Sequence, residues 1–143
     1  MRISRYLLIS LVLIFVTQVN CMAAEEEHTP LGEQMEQVGS SWRQVKRGAQ
    51  DSSKNAQTLA MVKKMIAAAE KSMSYQPAML EDIPDAEKKK FLANYTKGMK
   101  AFAGNLKKLE AALEAGDNAA AAKLVTSIDG HRKKSHESFK RPE

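Results

Sequence analysis

The chain has little of several residue types that mark particular classes of protein. It contains one cysteine, which excludes a disulfide-stapled scaffold. Its 7 glycines and 4 prolines in 143 residues are too few for a fibrous or low-complexity protein. The formal net charge is only +5, and no basic stripe interleaved with aromatic residues marks a nucleic-acid surface. We therefore expect one small folded domain that binds no nucleic acid.

Catalytic sequence motifs are also missing. The chain has no G-x-S-x-G, no H-E-x-x-H and no glycine-rich phosphate loop. The only cysteine, Cys21, lies in a segment that we expect to be removed, which leaves no thiol nucleophile. We therefore predict that the protein is not an enzyme.

The first 24 residues differ in composition from the rest of the chain. Arg2 and Arg5 precede an apolar run over residues 6–19, and the small residues Ala23 and Ala24 follow it just before three glutamates. This order is typical of a secretory signal peptide. We predict that residues 1–24 are cleaved and that residues 25–143 form the mature domain, in the periplasm and without a membrane span. An uncleaved anchor is the alternative.

The remainder of the chain has the composition of helices, because it is rich in Ala, Lys, Glu, Gln, Met and Leu. Thr29 and Asp117 are placed to cap helices, and Gly48 is placed to stop one. Apolar residues recur every three or four positions, which predicts an all-α, antiparallel up-down-up-down four-helix bundle. The predicted helices cover about 30–47, about 53–74, the segment from Asp85 to the break at Gly116, and 117 to about 140.

The predicted inner face of the fourth helix includes two polar residues, Arg132 and His136. In an antiparallel bundle, the start of the first helix and the end of the fourth lie together, so Met35 and His136 can converge. Thioether and imidazole groups are axial ligands of haem iron in electron-transfer cytochromes, and an arginine one turn earlier suits a haem propionate. The residues alone leave a plainer interpretation open, in which Met35 fills the core and His136 is solvated.

The chain resembles the soluble cytochrome b562 family over residues 29–140. The likeness is carried by Met35 within the segment 32–36, by the ungapped spacing from Met99 to His136, and by Arg132 one turn before that histidine. In this family a methionine and a histidine hold one haem b without covalent attachment, and the resemblance assigns those roles to Met35 and His136. It also implies that six residues line or back the pocket: Val38, Trp42, Met65, Tyr95, Met99 and Phe102.

The chain departs from the family pattern near the predicted pocket. Tyr95 and Met99 occupy positions where family members can have phenylalanine, and Ser135 replaces an aromatic residue beside the ligand histidine. The absence of a C-x-x-C-H motif agrees with non-covalent haem binding. The resemblance therefore implies a haem protein whose pocket wall differs in detail from that of its relatives.

The function that this resemblance implies is periplasmic electron transfer with one haem per chain. The protein would act as a monomer or weak dimer with redox partner proteins. One alternative is a haem-free periplasmic helical bundle that senses envelope stress or binds a partner. Another is a copper or nickel carrier, which the scattered methionines disfavour. A zinc site is disfavoured because His131 and His136 are five residues apart and face different directions on a helix.

Overall fold

The computed structural model describes residues 29–140, which form four α-helices. These are α1 (Pro30–Gly48), α2 (Asn55–Ser72), α3 (Asp85–Glu114) and α4 (Asn118–Phe139). Two short stretches of 3-10 helix cover Ser52–Lys54 and Ala78–Asp82. The described residues contain no strand, which confirms the predicted all-α class. The predicted signal peptide lies outside the described residues, and no helix within them is long and apolar enough to cross a membrane.

Side-chain caps begin α1 and α4 where the sequence predicts them. The Thr29 hydroxyl accepts a hydrogen bond from the Gly32 N–H at 3.0 Å, and the Asp117 carboxylate accepts one from the Ala120 N–H at 2.8 Å. Gly116 lies just before the second cap with a φ of 72°, a left-handed conformation that glycine adopts at little cost. The turn between α3 and α4 is therefore tight.

Gly48 ends α1 as predicted, but for a different physical reason. It is the last residue of α1, and the following Ala49 keeps right-handed helical angles, so no left-handed glycine stops this helix. A Cβ atom at Gly48 would overlap the hydroxyl of Thr58 on α2. The predicted end of the helix is therefore confirmed, but not through a left-handed glycine, because this glycine serves the close approach of α1 to α2.

Ion pairs show the relative direction of α2 and α3. Lys63, in the first half of α2, lies 3.4 Å from Glu114 at the end of α3, measured between charged atoms. Glu70, about two turns further along α2, pairs with the earlier residue Lys107 at 2.7 Å. Later residues of one helix thus meet earlier residues of the other, as in antiparallel neighbours.

The contacts between α1 and α4 show that these two helices also run in opposite directions. The Asn118 amide at the start of α4 donates to the Ala49 carbonyl after the end of α1 at 2.9 Å. Further along α4, Asp129 meets Trp42, which is earlier in α1. These contacts fit the predicted up-down-up-down arrangement.

The interior is packed most completely near the α1–α2 connection and opens towards the other end. The two buried residues of α4, Ala121 and Ile128, both lie in its first half. Further along, the inward positions Arg132, Ser135 and Phe139 are only half-buried. The end of the bundle where α1 begins and α4 ends is therefore the less completely sealed one.

Candidate functional site

Aromatic contacts join α4 to α3 at the less sealed end of the bundle. The ring of Phe139 packs edge-on against Phe91 and Tyr95, with ring centroids 5.4 and 5.7 Å apart. The Tyr95 hydroxyl donates to the Ser72 carbonyl at 2.9 Å, which adds the end of α2 to the cluster. These rings close the α3–α4 side of the bundle at this end, and the adjacent side is the edge between α1 and α4.

A hydrogen bond crosses the edge between α1 and α4. The indole N–H of Trp42 donates to a carboxylate oxygen of Asp129 at 3.1 Å. Trp42 is only 2% exposed, so its ring is held in the core while its N–H reaches this edge. The bond therefore defines which residues of the two helices face each other.

The register of this bond brings the two predicted ligand positions to the same level. Met35 lies seven residues before Trp42, and His136 lies seven residues after Asp129. Seven residues are two helical turns with an offset of about 20° and an axial rise of about 10.5 Å. Because α1 and α4 run in opposite directions, a step back along α1 and a step forward along α4 both lead to the end of the bundle where α1 begins and α4 ends. Met35 and His136 therefore occupy facing edges of α1 and α4.

The burial of the two positions differs. Met35 is half-buried and packs against the core, but His136 is exposed. The prediction that His136 lies on the inner face is wrong, because the inward positions here are Ser135 and Phe139. His136 follows Ser135 by one residue, which is a rotation of about 100° around α4, and this rotation turns it from the interior towards α1.

His136 is nevertheless shielded on part of its ring. This partial loss of hydration lowers the pKa of His136, and the positive charges of Arg132 and Lys140 lower it further. The neutral imidazole, the form that binds metal ions, is favoured as a result.

Arg132 has unused hydrogen-bonding capacity at this edge. Its side chain is 32% exposed, and one terminal nitrogen lies 3.5 Å from Asp129. Its Nε atom is buried and has no hydrogen-bond partner. A buried N–H without an acceptor is costly, so this position suits a carboxylate supplied by a bound group.

The edge carries an excess of positive charge around one carboxylate. Asp129 lies 3.9 Å from the Lys46 ammonium, 3.5 Å from the Arg132 guanidinium and 4.0 Å from the Lys133 ammonium. The hydrogen bond from Trp42 lowers the pKa of Asp129, and these three cations add to the effect. The carboxylate is therefore ionised near neutral pH, and the remaining positive charge favours an anionic ligand.

The six residues that the resemblance places around the pocket form part of the interior. Met99 is half-buried, and the other five side chains are buried. Their exposed fractions are 6% for Val38, 2% for Trp42, 0% for Met65, 5% for Tyr95 and 9% for Phe102. Burial is required both of core residues and of a pocket wall. It therefore agrees with the predicted role without separating it from simple packing.

Two recesses lie elsewhere on the described surface. One runs along α3 beside Leu92 and Thr96, and the other lies between α1 and α2 beside Gly48 and Thr58. Neither is lined by a predicted site residue. Within residues 29–140, no three His, Cys, Asp or Glu side chains gather as a metal site. The edge between α1 and α4 is thus the candidate functional site.

Sequence reasoning missed Asp129. It lies on the same face of α4 as His136, seven residues earlier, and its spacing to Arg132 and Lys133 is that of helical ion pairs. That spacing was visible in the sequence. The partner on α1 was not, because Trp42 is 87 positions away.

A four-helix bundle with a thioether, an imidazole and a guanidinium on one open edge has the donor groups of a haem-binding bundle protein. A model of the cytochrome b562 family matches residues 30–140, so the chain belongs to that family, which is itself a reference example of the four-helix bundle. Membership indicates a haem-binding protein of the electron-transfer type. A search among curated proteins finds no match to the chain.

Proposed function

We propose that the protein is a periplasmic electron carrier that binds one b-type haem without covalent attachment, with Met35 and His136 as axial ligands. The observation that carries this proposal is the common register of the two residues on facing helices in a chain of the cytochrome b562 family. The unpartnered Nε of Arg132 on the same edge supports it. Each of the three side chains has the chemistry that a haem requires.

The two ligand side chains have complementary properties. Bound haem supplies one-electron exchange between ferric and ferrous iron, and a Met/His pair raises the reduction potential. His136 can donate its ring lone pair because its lowered pKa favours the neutral form. If Met35 and His136 both hold the iron, the protein would leave no coordination position open for a substrate. We therefore propose electron transfer rather than catalysis.

The other site residues hold and shield the cofactor. Arg132 would donate to a haem propionate at the open edge, where Lys46 and Lys133 add positive charge. Buried side chains such as Val38 and Met65 would exclude water from a haem held at this edge. Low polarity around a haem is one of the means by which a protein sets its potential.

Location and partners complete the proposal. Export to the periplasm rests on the predicted signal peptide, residues 1–24, and the mass of the exported protein would identify its cleavage. We propose that the mature chain acts as a monomer or weak dimer and exchanges electrons with redox partner proteins.

The test is a haemin titration of the full chain expressed in a bacterial host and purified. Trp42 is the only tryptophan, so quenching of its emission and growth of the visible absorption report binding independently. We expect one haem per chain and split low-spin bands after reduction with dithionite. His136→Ala and Met35→Ala should lose the low-spin ferrous spectrum.

His131→Ala is the matched control, because His131 is an exposed histidine of the same helix on a different face. Its spectrum should equal that of the unmodified protein. A haemin complex that stays high-spin, or a His136→Ala spectrum identical to the unmodified one, would contradict the ligand assignment. The haem-free partner-binding bundle would then be the better description.

A further inference from the structure

Asp129 connects the two helices that carry the proposed ligands. One of its carboxylate oxygens accepts the indole N–H of Trp42 on α1 at 3.1 Å and lies 3.5 Å from Arg132 on its own helix. Lys46 of α1 approaches the same oxygen at 3.9 Å. The carboxylate is thus held from both sides of the open edge.

The Trp42 side of this contact is rigid. The indole is 2% exposed and belongs to the hydrophobic core, so its ring cannot move without disturbing its neighbours. A buried indole N–H also needs an acceptor, and Asp129 supplies it. The position of Asp129 is therefore set by the core of the bundle and not only by solvent-exposed charges.

The rotation of α4 follows from the position of Asp129. One residue corresponds to about 100° around the helix, so a small slip of α4 would turn His136 away from α1. The bond lies about 10.5 Å, or two turns, from the level of Met35 and His136. The same carboxylate accepts a hydrogen bond from a terminal nitrogen of Arg132, whereas the Arg132 Nε has no hydrogen-bond partner.

We propose that Asp129 is a positioning residue of the haem site: its bond to Trp42 sets the rotation and spacing of α4 relative to α1, and so the approach of His136 to Met35. This inference rests on the proposed haem-binding function. Asp129 acts through Trp42 and Arg132 and is not itself a ligand.

The experiment compares three variants of the full chain by haemin affinity, spin state and midpoint potential. Asp129→Ala should lower haemin affinity by about tenfold or more, the scale of effects from residues that orient metal ligands, and should give a mixed-spin ferric spectrum. Trp42→Phe keeps the carboxylate but removes the N–H, and should shift affinity and spin state in the same direction. Asp129→Asn keeps an oxygen that accepts from the indole, so it should recover most of the low-spin spectrum.

Asp117→Ala is the matched control. Asp117 is also an aspartate of the α4 region that accepts one hydrogen bond, but it caps the helix at the opposite end of the bundle. This variant should lower the thermal midpoint of the haem-free protein, as a lost cap does, with haemin affinity and spin state unchanged.

Two results would overturn the inference. The first is an Asp129→Ala protein with the affinity, spin state and potential of the unmodified one. The second is an Asp117→Ala protein whose haemin affinity falls as far, because Asp129 would then contribute only general stability. If the unmodified protein binds no haemin, the proposed function fails together with this inference. Normal binding with unaffected variants removes this inference alone.

Discussion

Replacing Tyr95 with phenylalanine removes one hydroxyl from the interior of the bundle. Tyr95 is 5% exposed, and its hydroxyl donates to the Ser72 carbonyl at 2.9 Å. That carbonyl also accepts the Tyr75 backbone N–H at 3.2 Å, so it keeps a partner in the variant. We therefore expect Tyr95→Phe to lower the free energy of unfolding near pH 7 by about 1 kcal/mol, the net value of one such hydrogen bond.

The effect at high pH has the opposite sign. Burial raises the pKa of Tyr95 from 10.0 to about 12. Below pH 10 both the folded and unfolded states keep the phenol proton. Between pH 10 and 12 the unfolded state loses it first, so the free energy of unfolding falls as the pH rises. Two pKa units correspond to about 3 kcal/mol, and Tyr95→Phe removes this loss.

Urea unfolding of the haem-free protein from pH 7 to pH 11.5, followed by Trp42 emission and helix content, measures both effects. The variant should be less stable at pH 7 and should equal or exceed the unmodified protein near pH 11.5. Lysine deprotonation affects both proteins alike, so the difference between the two curves isolates Tyr95. A difference that stays constant across this range would refute the reasoning.

Three further predictions concern packing and ligation. Gly48→Ala should destabilise the fold by about 1–3 kcal/mol in urea unfolding, because its Cβ would overlap Thr58, and an unchanged midpoint would contradict this contact. Gly39→Ala, where nothing lies within 4 Å of the added Cβ, is its control and should be neutral or stabilising by up to about 1 kcal/mol. Met65→Ala removes a fully buried side chain and should cost about 2–5 kcal/mol by the same measurement, and a loss below 1 kcal/mol would contradict its burial. His136→Ala should change the stability of the haem-free protein by no more than about 0.5 kcal/mol, because the residue is exposed. It should, however, abolish most of the rise in thermal midpoint that haemin produces, since a ligand stabilises the state that binds it. An equal rise in this variant would argue against ligation by His136.

Most of the local structure was readable from the sequence. Helix starts at Thr29 and Asp117 depend on one side chain and the backbone a few residues away, and both are confirmed. The spacing of apolar residues every three or four positions predicts the helices themselves, and this spacing is also a local property of the sequence. The chemistry of Met35 and His136 as candidate ligands is a property of the residue types and of family resemblance. Their ligation stays a prediction.

Tertiary structure decided what local patterns leave free. Helical periodicity places a residue on a face only to within about one residue, or 100°, so it did not separate exposed His136 from half-buried Ser135. The role of Gly48 depends on how closely α2 approaches α1. The bond from Trp42 to Asp129 joins residues 87 positions apart, and it forms because packing of the buried indole turns its N–H towards α4. The sequence by itself determined the helices and the candidate ligands, whereas the few side-chain contacts between α1 and α4 decided which side chains share an edge.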